Sequence, residues 1–377
     1  MIPLTPKEAV IRIARHVLGE ERVHDHLIKR GIKLRHLQDG YENSSGNRSE
    51  DGDNRSSDGL HAGNNAGENR QTLIFMVDGK WMHGGLTDRL RGMVSAYKFA
   101  IEHNLDFKIY HTSPFLLQEI LEPNKVNWII DEKQISKNCS VAKPVLLYRE
   151  DFNNDSALER QLDKTHEQFH LYSCVDTLGE KFAEYFNDLF KPSALLAQEI
   201  EHYRKLLGTN YTSLSFRFQN KLGDFKEFTF KELSEKGKRK LLNAAISALK
   251  REMFHQVGHD KIIADTTLSC PPPSGHRHLV NETSNILVTA DSPTFLAEAE
   301  KLPNVITVKG TSIHIDFNSS KKAVDYLKAF TEFFLISKAT KAKLYRNRKY
   351  KTYPSNFPKY AANLGNVPYE IVEDIRT

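Results

Sequence analysis

Apolar positions in this chain change their period several times, and each change marks an element. Thr72 to Val77 is a short apolar run of the length of a buried strand, and Leu86 to His103 shows the three-to-four spacing of an amphipathic helix. Between them stands His83-Gly84-Gly85-Leu86-Thr87-Asp88-Arg89, so the order reads strand, glycine turn, helix. Strands at Phe107–Tyr110 and Val145–Tyr148 and helices at Ser113–Leu121 and Leu178–Leu189 continue the alternation. A further helix is expected to begin at Pro192, where proline suits the first helical position. Gly208-Thr209-Asn210 interrupts the pattern. Beyond it come a strand at Tyr211–Phe218, a long helix from Lys231 to about His255, a strand at Asn285–Ala290 and a helix from Pro293. A strand at Asn304–Val308, a helix from Ser320 to about Ser337, a strand at Ala342–Tyr345 and a short helix from about Pro358 to Asn363 complete the series.

Alternation of this kind predicts an α/β fold of two Rossmann-like domains with mostly parallel sheets, over residues 72–207 and 208–377. Residues 1–37 differ. Val10, Ile13, Val17 and Leu18 fall on one helical face, Arg12, Arg15 and Arg22 lie off it, and Lys29, Arg30, Lys33 and Arg35 make the far end basic. Such a segment, over residues 7–37, either rests on an anionic membrane surface or packs on its own protein. Residues 38–71 are dominated by Gly, Asn, Ser, Asp and Arg, too polar to offset ordering entropy by burial, and a disordered linker is expected there.

The length of 377 residues fits two domains, and 39% hydrophobic content is globular. A formal net charge of +5 permits an anionic ligand without requiring nucleic acid. No run approaches the roughly 18 apolar residues of a membrane span, and Met1 to Lys7 does not read as a secretion signal, so a cytoplasmic location is expected, with peripheral contact at the inner face of the membrane left open. Cys139, Cys174 and Cys270 are far apart, which indicates neither a zinc site nor a disulfide framework.

Ligands of open α/β sheets sit beyond the carboxyl ends of strands. The glycine turn after Val77 is one such place: Gly84 and Gly85 let backbone approach a ligand, and the helix start behind them offers unpaired N–H groups. In the second half, Leu214, Phe216 and Phe218 alternate onto one face while Ser215 and Arg217 point to the other. An arginine ending an apolar strand needs a partner, either a phosphate matched to its planar fork or an acidic residue nearby. Lys221 and Asp224 follow in the same loop. Asp291 closes the next apolar strand, where it can meet a base or sugar or simply cap the helix that Ser292 and Pro293 begin. Ser355 or Asn356 can cap a helix carrying Phe357, Pro358 and Lys359 in its first turn, which leaves N–H groups and a lysine for an anion.

In their order and spacing these segments resemble the inverting GDP-fucose-dependent fucosyltransferases, the group of α1,2-, α1,6-, nodulation and protein O-fucosyltransferases, over about Leu73 to Leu364. The family's first-domain glycine loop is similar to Gly84-Gly85-Leu86-Thr87-Asp88-Arg89-Leu90. Its His-x-Arg-Arg motif falls on Ser215-Phe216-Arg217-Phe218, and its Thr-Asp-Asp/Ser-Pro motif on Thr289-Ala290-Asp291-Ser292-Pro293. The late serine segment resembles Glu332 to Ser337 followed by Ser355-Asn356-Phe357-Pro358. The resemblance implies a GT-B-like fold and transfer of fucose, or a similar sugar, from GDP-fucose to a glycan hydroxyl, with no metal or other cofactor. The acceptor is expected to be a glycan or lipid-linked oligosaccharide. Arg217 then holds the β-phosphate, Asp291 helps recognise guanine, and Ser355 with Asn356, Phe357 and Lys359 completes the pyrophosphate cradle, alongside Ser215 and Ser292. His83, Gly84, Gly85, Asp88 and Arg89 line the acceptor side or close over the sugar.

The chain departs from the family where the motif's histidine is Ser215 and its second arginine is Phe218. The position of the α1,6 enzymes' acid is Phe225, and Asp224 is assigned as base because it shares a loop with Arg217. Two other readings stay open: a degenerate transferase that binds without turnover, and RNA binding by residues 338–360, where Lys338, Lys341, Lys343, Arg346, Arg348, Lys349 and Lys351 are interleaved with Tyr345, Tyr350 and Tyr353.

Overall fold

The computed structural model describes Tyr41 and residues 70–147, 155–174, 176, 178, 181–225, 231–266, 284–318 and 320–374. The helical segment expected in residues 1–37 lies outside them, as do Cys270 and the linker apart from Tyr41, Arg70 and Gln71.

Leu73, Ile74, Phe75, Met76 and Val77 are all buried, which is what a parallel strand covered on both faces requires. They form β1 (Thr72–Val77), next to β2 (Asp106–His111) on one side and β5 (Gln168–Tyr172) on the other, with β4 (Ala142–Leu146) beyond β5. Every pairing in this sheet is parallel. A second parallel sheet has the order β11-β10-β7-β8-β9, built from β7 (Tyr211–Phe216), β8 (Asn285–Ala290), β9 (Val305–Ile306), β10 (Lys341–Asn347) and β11 (Tyr369–Asp374). A small antiparallel pair joins β3 (Leu121–Pro123) to β6 (Phe190–Pro192). The expected α/β architecture with two parallel sheets is present.

In both sheets the chain runs outward from a central strand and then returns to that strand's other side. The reversal falls between β1 and β5 in the first sheet and between β7 and β10 in the second. Crossovers on opposite faces leave a crevice at the carboxyl ends of such strand pairs. The helices are α1 (Leu86–Glu102), α2 (Asp155–Glu159), α3 (Phe182–Leu189), α4 (Ala194–Leu207), α5 (Glu235–Thr266), α6 (Pro293–Ala299), α7 (Leu327–Ile336) and α8 (Phe357–Leu364).

Several expected boundaries move for local reasons. Pro192 ends β6, and Ser193 caps α4 by accepting the Leu196 N–H, so the helix starts two residues later than its proline suggested. Ser113–Leu121 holds a single 3₁₀ turn at Leu117–Glu119, because Phe115 and Leu117 are both buried at a two-residue spacing that a helix does not place on one face. The helix expected from Ser320 begins at Leu327, after a 3₁₀ turn at Ala323–Tyr326.

One apolar core runs through both halves: Phe75, Leu90 and Phe186 belong to the same cluster as Ile200, Phe330, Phe333 and Ala342. α4 packs on α7, with Ile200 and Tyr203 facing that core. α8 reaches back to α3, where Tyr360 meets Phe182 edge-on at 4.9 Å. Each such buried side chain contributes about 1.5–3 kcal/mol relative to exposure.

Candidate functional site

At the second sheet's reversal point, β7 ends at Phe216 and Arg217 follows it. The Arg217 guanidinium pairs with Asp291 at 2.9 Å and lies 4.8 Å above the Phe225 ring. Asp291, directly after β8, also accepts the Phe218 and Gln219 N–H groups at 2.8 and 2.7 Å. Burial pushes the Asp291 carboxyl upward, and Arg217 with those two amides pulls against it. Asp291 is thus tied to the arginine loop, while Ser292 caps α6 by accepting the Phe295 N–H at 3.1 Å. The Arg217 side chain keeps 20% exposure, against 5% for Asp291.

Asp224 accepts a hydrogen bond from Ser292 at 2.6 Å and from the Thr294 N–H at 2.9 Å. One carboxylate oxygen therefore braces the start of α6, and the other is buried without a hydrogen-bond partner. That placement ties Asp224 to a cap rather than leaving it an open base. Ser215 is buried inside the sheet, its hydroxyl accepting from Thr289 at 2.8 Å, which takes it away from a ligand.

On the neighbouring strand β10, Tyr345 stands opposite Phe216 in register, so the turn leading to α8 emerges at the same edge as Arg217. The two loops come close: burial, with Lys351 adding its repulsion, lowers the Lys221 ammonium. Ser355 accepts the Phe357 N–H at 3.2 Å, and Asn356 precedes α8 without a side-chain cap. Lys359 is exposed. Phe357 packs against Phe333 with ring centroids 5.6 Å apart and serves the core.

The first sheet's reversal point carries the glycine turn. Gly84 has φ +81°, and a Cβ there would sit 2.5 Å from an Asp88 carboxylate oxygen. Asp88 accepts the Gly85 N–H at 3.1 Å and pairs with Arg91 at 2.8 Å. The donors expected to meet a ligand are already engaged. Asp316, in a 3₁₀ turn (Ile315–Phe317) of the other half, accepts the Gly84 N–H at 2.6 Å, the His83 N–H at 3.4 Å and the Arg89 guanidinium at 2.6 Å. Both side chains are sealed, at 5% and 4% exposure. Arg89 also donates to the carbonyls of Gly84 and Ser113.

Two buried histidines, His83 and His111, and the half-buried His314 lie around this pair. His83 donates from Nδ1 to the Ser173 carbonyl at 3.0 Å, which leaves Nε2 as a buried acceptor without a partner. Burial, reinforced by Arg89, lowers its pKa to about 4. His111 is lowered to about 3 by the same causes, and His314 to about 4, mainly by burial, with Asp316 opposing and Arg217 and Arg89 adding. His314 thus lies within electrostatic reach of both arginines and joins the two clusters. Sequence reading did not find Asp316 or His314. The available signal was Ile313-His314-Ile315-Asp316-Phe317, polar residues alternating with apolar ones in a segment of no regular period.

The basic stretch at residues 338–360 is largely neutralised. Lys341 and Lys343 pair with Glu370 at 2.7 and 3.1 Å, Arg346 and Arg348 pair with Glu373, and Tyr345 is buried with its hydroxyl on Asp374. Paired cations of this kind do not present the free phosphate-contacting surface expected of an RNA binder. Among the described residues no group of three or more His, Cys, Asp and Glu could hold a metal ion, and no helix is long and apolar enough to cross a membrane.

No protein-family model matches the chain, and neither does any curated protein. Solved structures that match it include NodZ alpha-1,6-fucosyltransferase soaked with GDP-fucose, at 13% identity and TM-score 0.46, covering 81% of this chain and 95% of that one. A mutant of Arabidopsis thaliana FUT1 in complex with GDP matches at 10% identity and TM-score 0.45, over 92% and 75% of the two chains. POFUT1 in complex with GDP matches at 8% identity and TM-score 0.42, over 82% and 99%.

Proposed function

We propose that this protein transfers fucose, or a closely similar sugar, from GDP-fucose to a glycan hydroxyl with inversion at the anomeric carbon. One observation carries the reading: an arginine whose side chain keeps a fifth of its surface exposed stands at the reversal point of a parallel sheet, at the same edge as the turn into α8. A nucleoside diphosphate leaving group gathers negative charge as the glycosidic bond breaks, and fixed donors in a partly dry crevice stabilise it. Arg217, with the exposed Lys359 in the first turn of α8, fills that role. With Asp224 engaged at α6, the reaction relies on leaving-group stabilisation and an ionised glycosidic bond, and the acceptor hydroxyl's proton passes to the departing diphosphate as the new C–O bond forms. In this reading the acceptor is a glycan or lipid-linked oligosaccharide that approaches from the half carrying the glycine turn.

A thermal-shift panel of GDP, GDP-fucose, GDP-mannose, UDP-sugars and free phosphate, with and without magnesium, tests this. GDP at 100 times its Kd should raise stability by about 2.7 kcal/mol, since ligand affinity for the native state adds to it. Stabilisation by UDP in place of GDP would overturn the base assignment, and no nucleotide response at all would overturn the reading. Binding of GDP without its release from GDP-fucose, across glycan acceptors, would mark a protein that binds without turnover. The anomeric configuration of any product, read by NMR, tests inversion.

A further inference from the structure

Asp316 is separated from its partners by more than two hundred residues of chain, yet it is the group that fixes the glycine turn. Its two oxygens take the Gly84 N–H at 2.6 Å, the His83 N–H at 3.4 Å and the Arg89 guanidinium at 2.6 Å. The contact crosses from the half that carries Arg217 to the half that carries the turn. The carboxylate and guanidinium are almost wholly withdrawn from water, where a paired charge holds its geometry tightly and an unpaired one is strongly disfavoured. Gly84, with φ +81° and no room for a Cβ beside Asp88, keeps the turn in the one shape that presents those amides.

We propose that Asp316 is a positioning residue for the transfer reaction: it anchors the glycine turn of the acceptor half against the donor half and so sets the acceptor's approach to the sugar held near Arg217. The proposal rests on the transfer reading above. It assigns Asp316 no contact with donor or acceptor. Arg89, the partner of Asp316, also donates to the carbonyls of Gly84 and Ser113, so the anchor holds both sides of the turn. A misplacement of about 1 Å between reacting groups can cost on the order of 100-fold in rate, so a tie at this point controls kcat more than donor affinity.

The test uses the full chain with Asp316→Asn and Asp316→Glu. Hydrogen exchange, read by mass spectrometry, should show amides 83–85 exchanging at least about tenfold faster in Asp316→Asn, and by a larger factor than the amides of β7 and β8, because the local opening free energy falls by more than the global one. The Kd for GDP by calorimetry should stay within about threefold, while kcat for GDP release from GDP-fucose with a glycan acceptor panel falls about 100-fold at a little-changed KM for the donor. Asp316→Glu keeps the charge and adds a methylene, so amide protection should survive while kcat drops; if the Asn variant does not fold, this variant decides by the same kcat and Kd measurements. Unchanged amide exchange in Asp316→Asn, wild-type kcat in either variant, or a loss confined to GDP affinity would each overturn the proposal. A wild-type protein that binds no GDP sinks the transfer reading instead, and amide exchange then still decides whether Asp316 holds the turn.

Discussion

Two arginine–aspartate pairs stand at the two reversal points, and they differ in where the aspartate comes from and in how much water reaches the arginine. Arg217 and Asp291 directly follow adjacent strands of one sheet, and the arginine side chain keeps a fifth of its surface exposed. Arg89 and Asp316 belong to opposite halves of the chain and are sealed. An arginine that solvent still reaches can meet a second anion, whereas one enclosed by carboxylate, carbonyls and neutral histidines is already satisfied. The difference separates a charge that solvent reaches from a sealed one, although the two pairs look alike as residue types.

Breaking each pair from the arginine side should therefore give opposite profiles. Arg217→Ala is expected to reduce transfer by at least about 100-fold, the cost of removing one donor to a developing anion, with circular dichroism retained and a loss of stability smaller than that of Arg89→Ala, because solvent reaches this pair. Near-full activity of that variant in a GDP-release assay would remove Arg217 from the donor site. Arg89→Ala leaves the Asp316 carboxylate buried and unpaired, and urea denaturation should report a loss of about 3–5 kcal/mol. A loss no larger than that of Arg217→Ala would erase the distinction between the pairs.

The glycine turn sharpens the comparison. Gly84→Ala forces a side chain into a left-handed backbone position and against Asp88, and should cost about 1–3 kcal/mol by the same denaturation measurement. At Gly85, with an ordinary negative φ and no neighbour of its Cβ nearer than 3.8 Å, alanine should cost only about 0.5–1 kcal/mol through poorer capping. Equal effects would show that the turn's shape is not what holds the amides in place.

Acidification separates the clusters by a further route. His83, His111 and His314 have folded pKa values lowered to about 4, 3 and 4, so below their ordinary value near 6.5 the unfolded chain binds protons that the folded chain refuses. Their contribution is intact above about pH 6.5 and is lost progressively as pH falls toward 4, at up to about 1.4 kcal/mol per pH unit for each histidine. His83→Gln should flatten the decline of melting temperature between pH 6.5 and 4. An unchanged slope would mean that His83 titrates normally and that its surroundings are wetter than the structure indicates.

Much of this was legible in the chain. Thr72–Val77 gave its strand through continuous apolarity, Gly85 marked the start of α1, and Arg217 and Asp291 announced themselves as charges at the ends of apolar strands. Periodicity failed where an element is short or mixed. β5, Gln168-Phe169-His170-Leu171-Tyr172, sits next to β1 yet carries two polar side chains, and β11 is an edge strand rich in acids with no fully buried residue. Ser215 and Asp224 looked available because a sequence shows a residue's chemistry and not its neighbours; Thr289 and Ser292 had already engaged them. Asp316 was invisible for a deeper reason. Its role depends on a contact between segments whose separation along the chain leaves no local pattern, and only the fold brings them together.

The apolar cluster shared by both sheets has a practical corollary for spectroscopy. Both tryptophans, Trp81 and Trp128, lie in the first half, yet the cluster that contains Trp128 extends without a break to Phe333 and Ala342 of the second. Indole emission during denaturation should consequently follow the melting of the second sheet as faithfully as that of the first, and its midpoint should coincide with that of far-ultraviolet ellipticity.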